Sequence, residues 1–120
     1  DGAVLAVEGD ERAVRDARRL VHDRPQVTLR QGEVGRVLGS GVGGADVVVL
    51  DPPRTGAGRR VVEAIAALGP SRVVYVACDP AALARDVALF AGSGYVLAAV
   101  RGHDLFPMTH HVEAVAVLAR

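Results

Sequence analysis

Cys78 is the single cysteine of this 120-residue chain, and it stands between an apolar run and Asp79-Pro80. The run, residues 73–77, is β-branched and aromatic, which predicts a buried strand. Asp79 suits a helix N-cap and Pro80 suits the first helical position, so the thiol precedes a helix N-terminus. That position favours the thiolate, which is the nucleophilic form. On position alone, a nucleophile and a small buried core residue are equally good interpretations of Cys78.

A second cluster, Asp51-Pro52-Pro53-Arg54, follows the apolar run 46–50. The run predicts a parallel strand that is buried on both faces. Two prolines end the pairing of a strand and fix a rigid loop. A rigid strand-to-helix connection explains the prolines, but it gives no reason for an acid at the end of the strand.

Two more carboxylates lie at the ends of predicted strands. Glu8 follows the strand at residues 3–7. An acid at such a strand end accepts hydrogen bonds from ribose hydroxyls in nucleotide-binding folds, and a solvated charge is the alternative. Glu113 interrupts the apolar strand 112–118. It is therefore either a solvated charge at the sheet edge or a base held ready to take a proton.

The histidines do not predict a metal site. His110 and His111 are adjacent, with His103 and Asp104 nearby. Adjacent histidines rarely bind one ion together, and no second His or Cys cluster completes a tetrahedral set. A Cys–His–acid hydrolase is not favoured either, because no Gly-rich oxyanion loop adjoins Cys78 and the two prolines have no role in that chemistry.

The order of the elements predicts an α/β fold with a mostly parallel sheet, because strands alternate with helices. The chain opens directly on a strand with no Gly-rich loop before it, which indicates the later part of a larger domain. The predicted strands are residues 3–7, 27–30, 46–50, 73–77, 95–100 and 112–118, and helices begin near residues 11, 33, 59 and 80.

The composition limits the kinds of partner that this chain is expected to bind. The 14 basic residues balance the 14 acids, so the chain has no net charge, and most of the grip on nucleic-acid phosphates is expected to lie outside it. No apolar run approaches the roughly 20 residues of a membrane span, so no membrane partner is expected. A single cysteine excludes an internal disulfide and is consistent with a cytoplasmic location.

Three motifs then occur in order: Asp51-Pro52-Pro53-Arg54-x-Gly56, Tyr75-Val76-Ala77-Cys78-Asp79-Pro80-Ala81-x-Leu83-Ala84-Arg85-Asp86, and Phe106-Pro107-x-Thr109-His110-His111-Val112-Glu113. Together they resemble the catalytic half of the S-adenosylmethionine-dependent RNA 5-methyluridine (uracil carbon-5) methyltransferases. The resemblance covers residues 4–118. It implies a partial Rossmann-like class I methyltransferase fold with antiparallel C-terminal strands, in which residues 1–120 form the C-terminal part of the catalytic domain.

The resemblance also implies roles for individual residues. Cys78 is the nucleophile that adds to carbon 6 of uracil, and Glu113 is the base that removes the carbon 5 proton. Glu8 and Asp51 bind the cofactor S-adenosylmethionine. The residues implied on the substrate side are Pro52, Pro53, Arg54, His110 and His111. The substrate is RNA, either tRNA or rRNA, bound through the full-length protein.

The chain departs from the family pattern at Asp79, where the family usually has Asn. An anion beside Cys78 opposes its activation. Several family features are expected before Asp1: the Gly-rich cofactor loop, the first strand, an RNA-binding β-barrel and, in some members, the cysteines of an iron–sulfur cluster. The missing strand would lie between strands 3–7 and 46–50, which must then pair directly, swap with another chain into a dimer, or leave a gap. The isolated chain is therefore expected to be inactive.

Two alternatives remain at this point. One is an amine-directed methyltransferase of the same fold, because such enzymes carry Asp-Pro-Pro at the same strand end, although it leaves Cys78 and Glu113 without roles. The other is a non-catalytic methyltransferase-like module for binding or assembly, which Asp79 and the neutral charge favour.

Overall fold

A computed structural model describes residues 2–105, 108–109 and 111–120. The described residues form six strands and four helices, and they divide into two compact units, Asp1–Val42 and Gly43–Arg120. No helix among them is long and apolar enough to cross a membrane.

The first unit is a two-stranded parallel sheet with two helices. Strands β1 (Val4–Glu8) and β2 (Val27–Gln31) pair from Val4 opposite Val27 to Glu8 opposite Gln31. The helices are α1 (Glu11–Leu20) and α2 (Val34–Leu38). An acid caps each helix: Asp10 accepts a hydrogen bond from the backbone of Ala13, and Glu33 accepts from Gly35 and Arg36.

The second unit is a four-stranded mixed sheet in the order β3-β4-β6-β5. β3 pairs with β4 in parallel, while β6 pairs antiparallel with both β4 and β5. The antiparallel C-terminal strands are therefore confirmed within an α/β fold. The elements are β3 (Val47–Leu50), α3 (Gly58–Ala67), β4 (Arg72–Ala77), α4 (Pro80–Gly92), β5 (Val96–His103) and β6 (Glu113–Ala119).

The prediction that the strand at 46–50 is buried on both faces is wrong. β3 is an edge strand, and the side chains of Val47 and Val49 are 53% and 69% exposed. An apolar sequence shows that a strand could be buried, but actual burial depends on the strands and helices that lie beside it. Within the described residues, β3 has a partner strand on one side only. Strand β1 belongs to the other sheet, so the direct pairing of strands 3–7 and 46–50 does not occur.

The core of the second unit lies between the sheet and helices α3 and α4. Side chains of Ile65, Tyr75, Phe90 and Leu118 are fully buried there. Phe90 packs edge-to-face on Tyr95, with ring centroids 5.7 Å apart. The Tyr95 hydroxyl donates a hydrogen bond of 2.7 Å to the Pro70 carbonyl, so the end of the core is both packed and hydrogen-bonded. This packing fixes β4 and α4, the two elements on either side of Cys78.

Candidate functional site

Residues 51–57, which we call the Pro-Pro loop, connect β3 to α3. Asp51 directly follows the last residue of β3, Leu50, which pairs with Tyr75 of β4. The loop therefore starts beside the end of β4. Its turn is closed by a hydrogen bond of 2.8 Å from the Gly56 N–H to the Pro53 carbonyl. Asp51, Pro53 and Arg54 are exposed, so the surface of the loop carries a carboxylate, a proline ring and a guanidinium group.

Cys78 occupies the junction between β4 and α4. It is a half-buried free thiol that follows Ala77, the last residue of β4, and it precedes the α4 N-cap by one residue. The residue is partly exposed, unlike the fully buried Tyr75 and Phe90. The partial exposure favours the interpretation of Cys78 as a reactive residue over that of a core residue.

Asp79 caps α4. Its Oδ1 accepts a hydrogen bond of 2.8 Å from the Ala82 N–H, its backbone is extended, and Pro80 follows at the first helical position. The predicted capping role is confirmed. The same carboxylate keeps a negative charge one residue from the Cys78 thiol.

We expect Asp79→Asn to make Cys78 more reactive without loosening α4. Asn caps a helix as well as Asp does, but it carries no charge to oppose the thiolate. In the full-length protein, alkylation of Cys78 by iodoacetamide near neutral pH, followed by peptide mass spectrometry, should become about two- to fivefold faster. Asp10→Asn, at the equivalent cap of α1, is the matched control and should leave the rate unchanged. Equal rates in Asp79→Asn and wild type would contradict the prediction.

Glu113 begins β6, and the strand register brings it to the end of the sheet where the cysteine lies. The β4–β6 ladder pairs Ala77 with Ala114. The ladder ends at this pair, and Cys78 and Glu113 are the next residues along the two chains, with Cys78 in a bend that follows β4. On its other side Glu113 pairs with His103 of β5. Two residues that are 35 positions apart in sequence therefore both adjoin the last pair of the β4–β6 ladder, at the same end of the sheet.

The burial pattern shows which face of the sheet carries these residues. Along β4 and β6, fully buried residues alternate with half-buried ones. Ala77 and Ala114 are on the buried face, and both Cys78 and Glu113 are half-buried. Neighbouring residues of a strand point to opposite faces, so the pattern assigns Glu113 to the more open face. Cys78 lies in the bend that follows β4 and has the same partial exposure.

The loop before β6 is described only in part. His111 is half-buried, and its N–H donates a hydrogen bond of 3.3 Å to the Thr109 hydroxyl. His110 lies outside the described residues, so its predicted position on the substrate side is not tested. His111 precedes Glu113 by two residues, which is consistent with a loop that leads into the predicted base.

Glu8 lies in the first unit, at the carboxyl end of β1. Its side chain is exposed, and Oε1 accepts a hydrogen bond of 2.9 Å from the Asp10 N–H. This contact fixes the carboxylate at the start of α1. The strand-end position predicted for Glu8 is confirmed, and its role stays a prediction.

Asp86 belongs to the second motif, but the sequence alone predicts no role for it. Asp86 is completely buried, and its carboxylate accepts a hydrogen bond of 2.6 Å from the Tyr75 hydroxyl. Burial, followed by this hydrogen bond and the negative charge, raises the pKa of Tyr75, which therefore remains a donor. A signal was available, because Asp86 falls three residues after Leu83 and four before Phe90, on the buried face of α4.

A family model for tRNA (uracil-5-)-methyltransferases matches residues 43–120, the same residues as the second compact unit. The chain belongs to this family. An uncharacterized RNA methyltransferase of Streptomyces avermitilis is 52% identical over 118 residues, which cover 98% of this chain and 27% of the relative. One from Thermotoga maritima is 39% identical, with coverage of 98% and 27%. The chain thus spans about a quarter of the length of these curated relatives.

Solved structures agree with the family assignment. The Pyrococcus abyssi tRNA (uracil-54, C5)-methyltransferase, in complex with S-adenosyl-L-homocysteine, superposes with a TM-score of 0.83 at 33% identity, covering 98% of this chain and 29% of that one. Fibrillarin of Aeropyrum pernix superposes with a TM-score of 0.75 at 19% identity, covering 96% of this chain and 55% of that one. The second likeness supports the class I methyltransferase fold only.

Proposed function

We propose that this member of the tRNA (uracil-5-)-methyltransferase family is a catalytic portion of an enzyme that methylates carbon 5 of uridine in RNA. One observation carries the proposal. Cys78 and Glu113 adjoin the last pair of the β4–β6 ladder, Ala77 and Ala114, at the end of the sheet where the Pro-Pro loop begins. A nucleophile, a base and a rigid loop at one edge are what this reaction needs.

Cys78 supplies the nucleophile, because carbon 5 of uracil is too poor a nucleophile to react directly. The thiolate adds to carbon 6, so an S–C6 bond forms and the electron pair of the C5=C6 double bond moves onto the carbonyl at carbon 4 as an enolate. Carbon 5 is then electron-rich. The partly exposed position of Cys78 just before α4 supports this role, because a nucleophile must be reachable by the base that it attacks.

Glu113 acts after carbon 5 has been methylated. The carboxylate takes the proton from carbon 5, the C5=C6 bond forms again, and the S–C6 bond breaks to release Cys78 as a thiolate. A base must lie within reach of the atom it deprotonates, and the pairing of adjacent strands provides that proximity.

The carboxylates of Glu8 and Asp51 have the hydrogen-bonding properties that binding of S-adenosylmethionine requires. Each is an exposed acceptor at the carboxyl end of a parallel strand, where ribose hydroxyls and amino groups are bound in folds of this kind. When bound, S-adenosylmethionine supplies the methyl group from its sulfonium. Glu8 would accept hydrogen bonds from the ribose, and Asp51 would lie beside the cofactor and the target base.

The substrate is RNA, tRNA or rRNA. We assign Pro52, Pro53, Arg54, His110 and His111 to the substrate side, since the described members of this set lie on the loops around Cys78 and Glu113. Arg54 is the one cation of the Pro-Pro loop and is exposed, which suits a phosphate contact. With zero net charge on the chain, the rest of the grip on the RNA belongs to other parts of the full-length protein.

The test is methyl transfer from labelled S-adenosylmethionine to uridine-containing RNA, with the product nucleoside analysed by mass spectrometry. We expect the full-length protein to produce 5-methyluridine. We expect the 120-residue chain alone to produce none, because it spans about a quarter of its relatives. Label in an exocyclic amine would favour an amine-directed methyltransferase, and transfer by the chain alone would refute the second expectation.

A further inference from the structure

Asp86 is the one charged residue that is fully buried in the described part of the chain. Its Oδ2 accepts hydrogen bonds of 2.6 Å from both the Ala57 N–H and the Tyr75 hydroxyl. Its Oδ1 accepts bonds of 3.2 Å from the Gly58 N–H and from Nη2 of Arg85. A buried carboxylate is costly unless its oxygens are satisfied, and here donors from three elements surround it.

Two of these donors are backbone groups at the junction of the Pro-Pro loop and α3. Ala57 is the N-cap residue of α3, and its side chain cannot cap the helix. Asp86 of α4 supplies the capping oxygens instead, and its charge faces the positive end of the α3 dipole. The end of the Pro-Pro loop is therefore held in place by a side chain of α4, because the N-cap residue of α3 has no side chain that can cap the helix.

Arg85 adds a second tie between the same two segments. Its Nη2 donates to the Thr55 carbonyl and also to Asp86. Gly56 lies against the pair: a Cβ added there would be 2.5 Å from Nη2 of Arg85 and 2.6 Å from Oδ2 of Asp86, and its φ is +81°. A side chain at position 56 would clash with this pair, and the positive φ also favours glycine.

We propose that Asp86 is a positioning residue that holds the Pro-Pro loop in a fixed position relative to Cys78. Helix α4 begins two residues after Cys78, so a bond from α4 to residues 55–58 fixes the loop relative to the thiol. The inference rests on the proposed function, because it concerns how the loop presents uracil to Cys78. Misplacement of reacting groups by about 1 Å costs up to about a hundredfold in rate.

The test follows covalent adduct formation between the full-length protein and 5-fluorouridine RNA with S-adenosylmethionine, in a single turnover with RNA in excess. We expect Asp86→Asn and Gly56→Ala to lower the rate constant by about ten- to a hundredfold while the final amount of adduct stays at the wild-type level. Gly69→Ala is the matched control. Gly69 has φ +70° at the other end of α3 and open space around its Cβ position, so the rate constant should not change.

A merely stabilising role predicts the opposite pattern, in which fewer molecules react at an unchanged rate constant, and that result would overturn the inference. Wild-type rate constants in both variants would overturn it as well, while leaving the proposed function intact. An absence of adduct in the wild-type protein would refute the proposed function, and the inference with it. If Asp86→Asn does not fold, Tyr75→Phe removes one donor to Asp86 and keeps the ring, and it should slow adduct formation several-fold.

Discussion

Replacement of Cys78 by alanine is expected to abolish the covalent adduct with 5-fluorouridine RNA and to reduce methyl transfer to below about one-thousandth of the wild-type rate. Fluorine at carbon 5 cannot be removed as a proton, so the wild-type protein should stop after methylation with its S–C6 bond intact. Without the thiol, carbon 6 receives no nucleophile and carbon 5 never becomes electron-rich. The adduct is measured as a protein–RNA band that survives denaturing gel electrophoresis.

Cys78→Ser serves as the companion variant for this experiment. Serine keeps the size and polarity of the side chain at the start of α4, but its hydroxyl is a far weaker nucleophile than a thiolate. Both variants should bind S-adenosylmethionine and melt like the wild type, because Cys78 is half-buried and makes no disulfide. An adduct that persists in Cys78→Ala would assign the nucleophile to another residue and would refute the proposed mechanism.

Local signals predicted the surroundings of Cys78 well. The capping role of Asp79 follows from its side chain and from Pro80, since both act on neighbouring backbone groups. Strand and helix boundaries around them deviate by a residue or two, as in β4, which begins at Arg72 instead of residue 73. Such features depend on residues close in sequence and can therefore be inferred from it.

Features that depend on contacts between distant parts of the chain could not be predicted from local sequence patterns. The apolar residues of β3 predict burial, yet Val49 is 69% exposed, because burial depends on which strands lie beside it. The neighbourhood of Cys78 and Glu113 depends on the pairing of β4 with β6, and no spacing rule predicts that register. The burial of Asp86 could be read from helical periodicity, but its donors on the Pro-Pro loop could not.

The same register makes Glu113 the second decisive residue. Glu113→Gln keeps the size of the side chain at the start of β6 but cannot accept the carbon 5 proton as a base. We expect this variant to form the adduct on ordinary uridine RNA and to release it about 100- to 10,000-fold more slowly than the wild type. The adduct, which turns over too quickly to accumulate in the wild-type protein, should then become visible on a denaturing gel.

The control for this variant is Glu63→Gln, the same chemical change on the exposed face of α3, where Glu63 pairs with Arg59 at 3.5 Å. A surface pair of this kind contributes little, so turnover should match the wild type. Cys78→Ala combined with Glu113→Gln should form no adduct, because addition of the thiolate precedes proton removal. Rapid release in Glu113→Gln would mean that another group takes the proton. Failure to form the adduct at all would instead make Glu113 necessary for the addition step, and either result would contradict the role assigned to it.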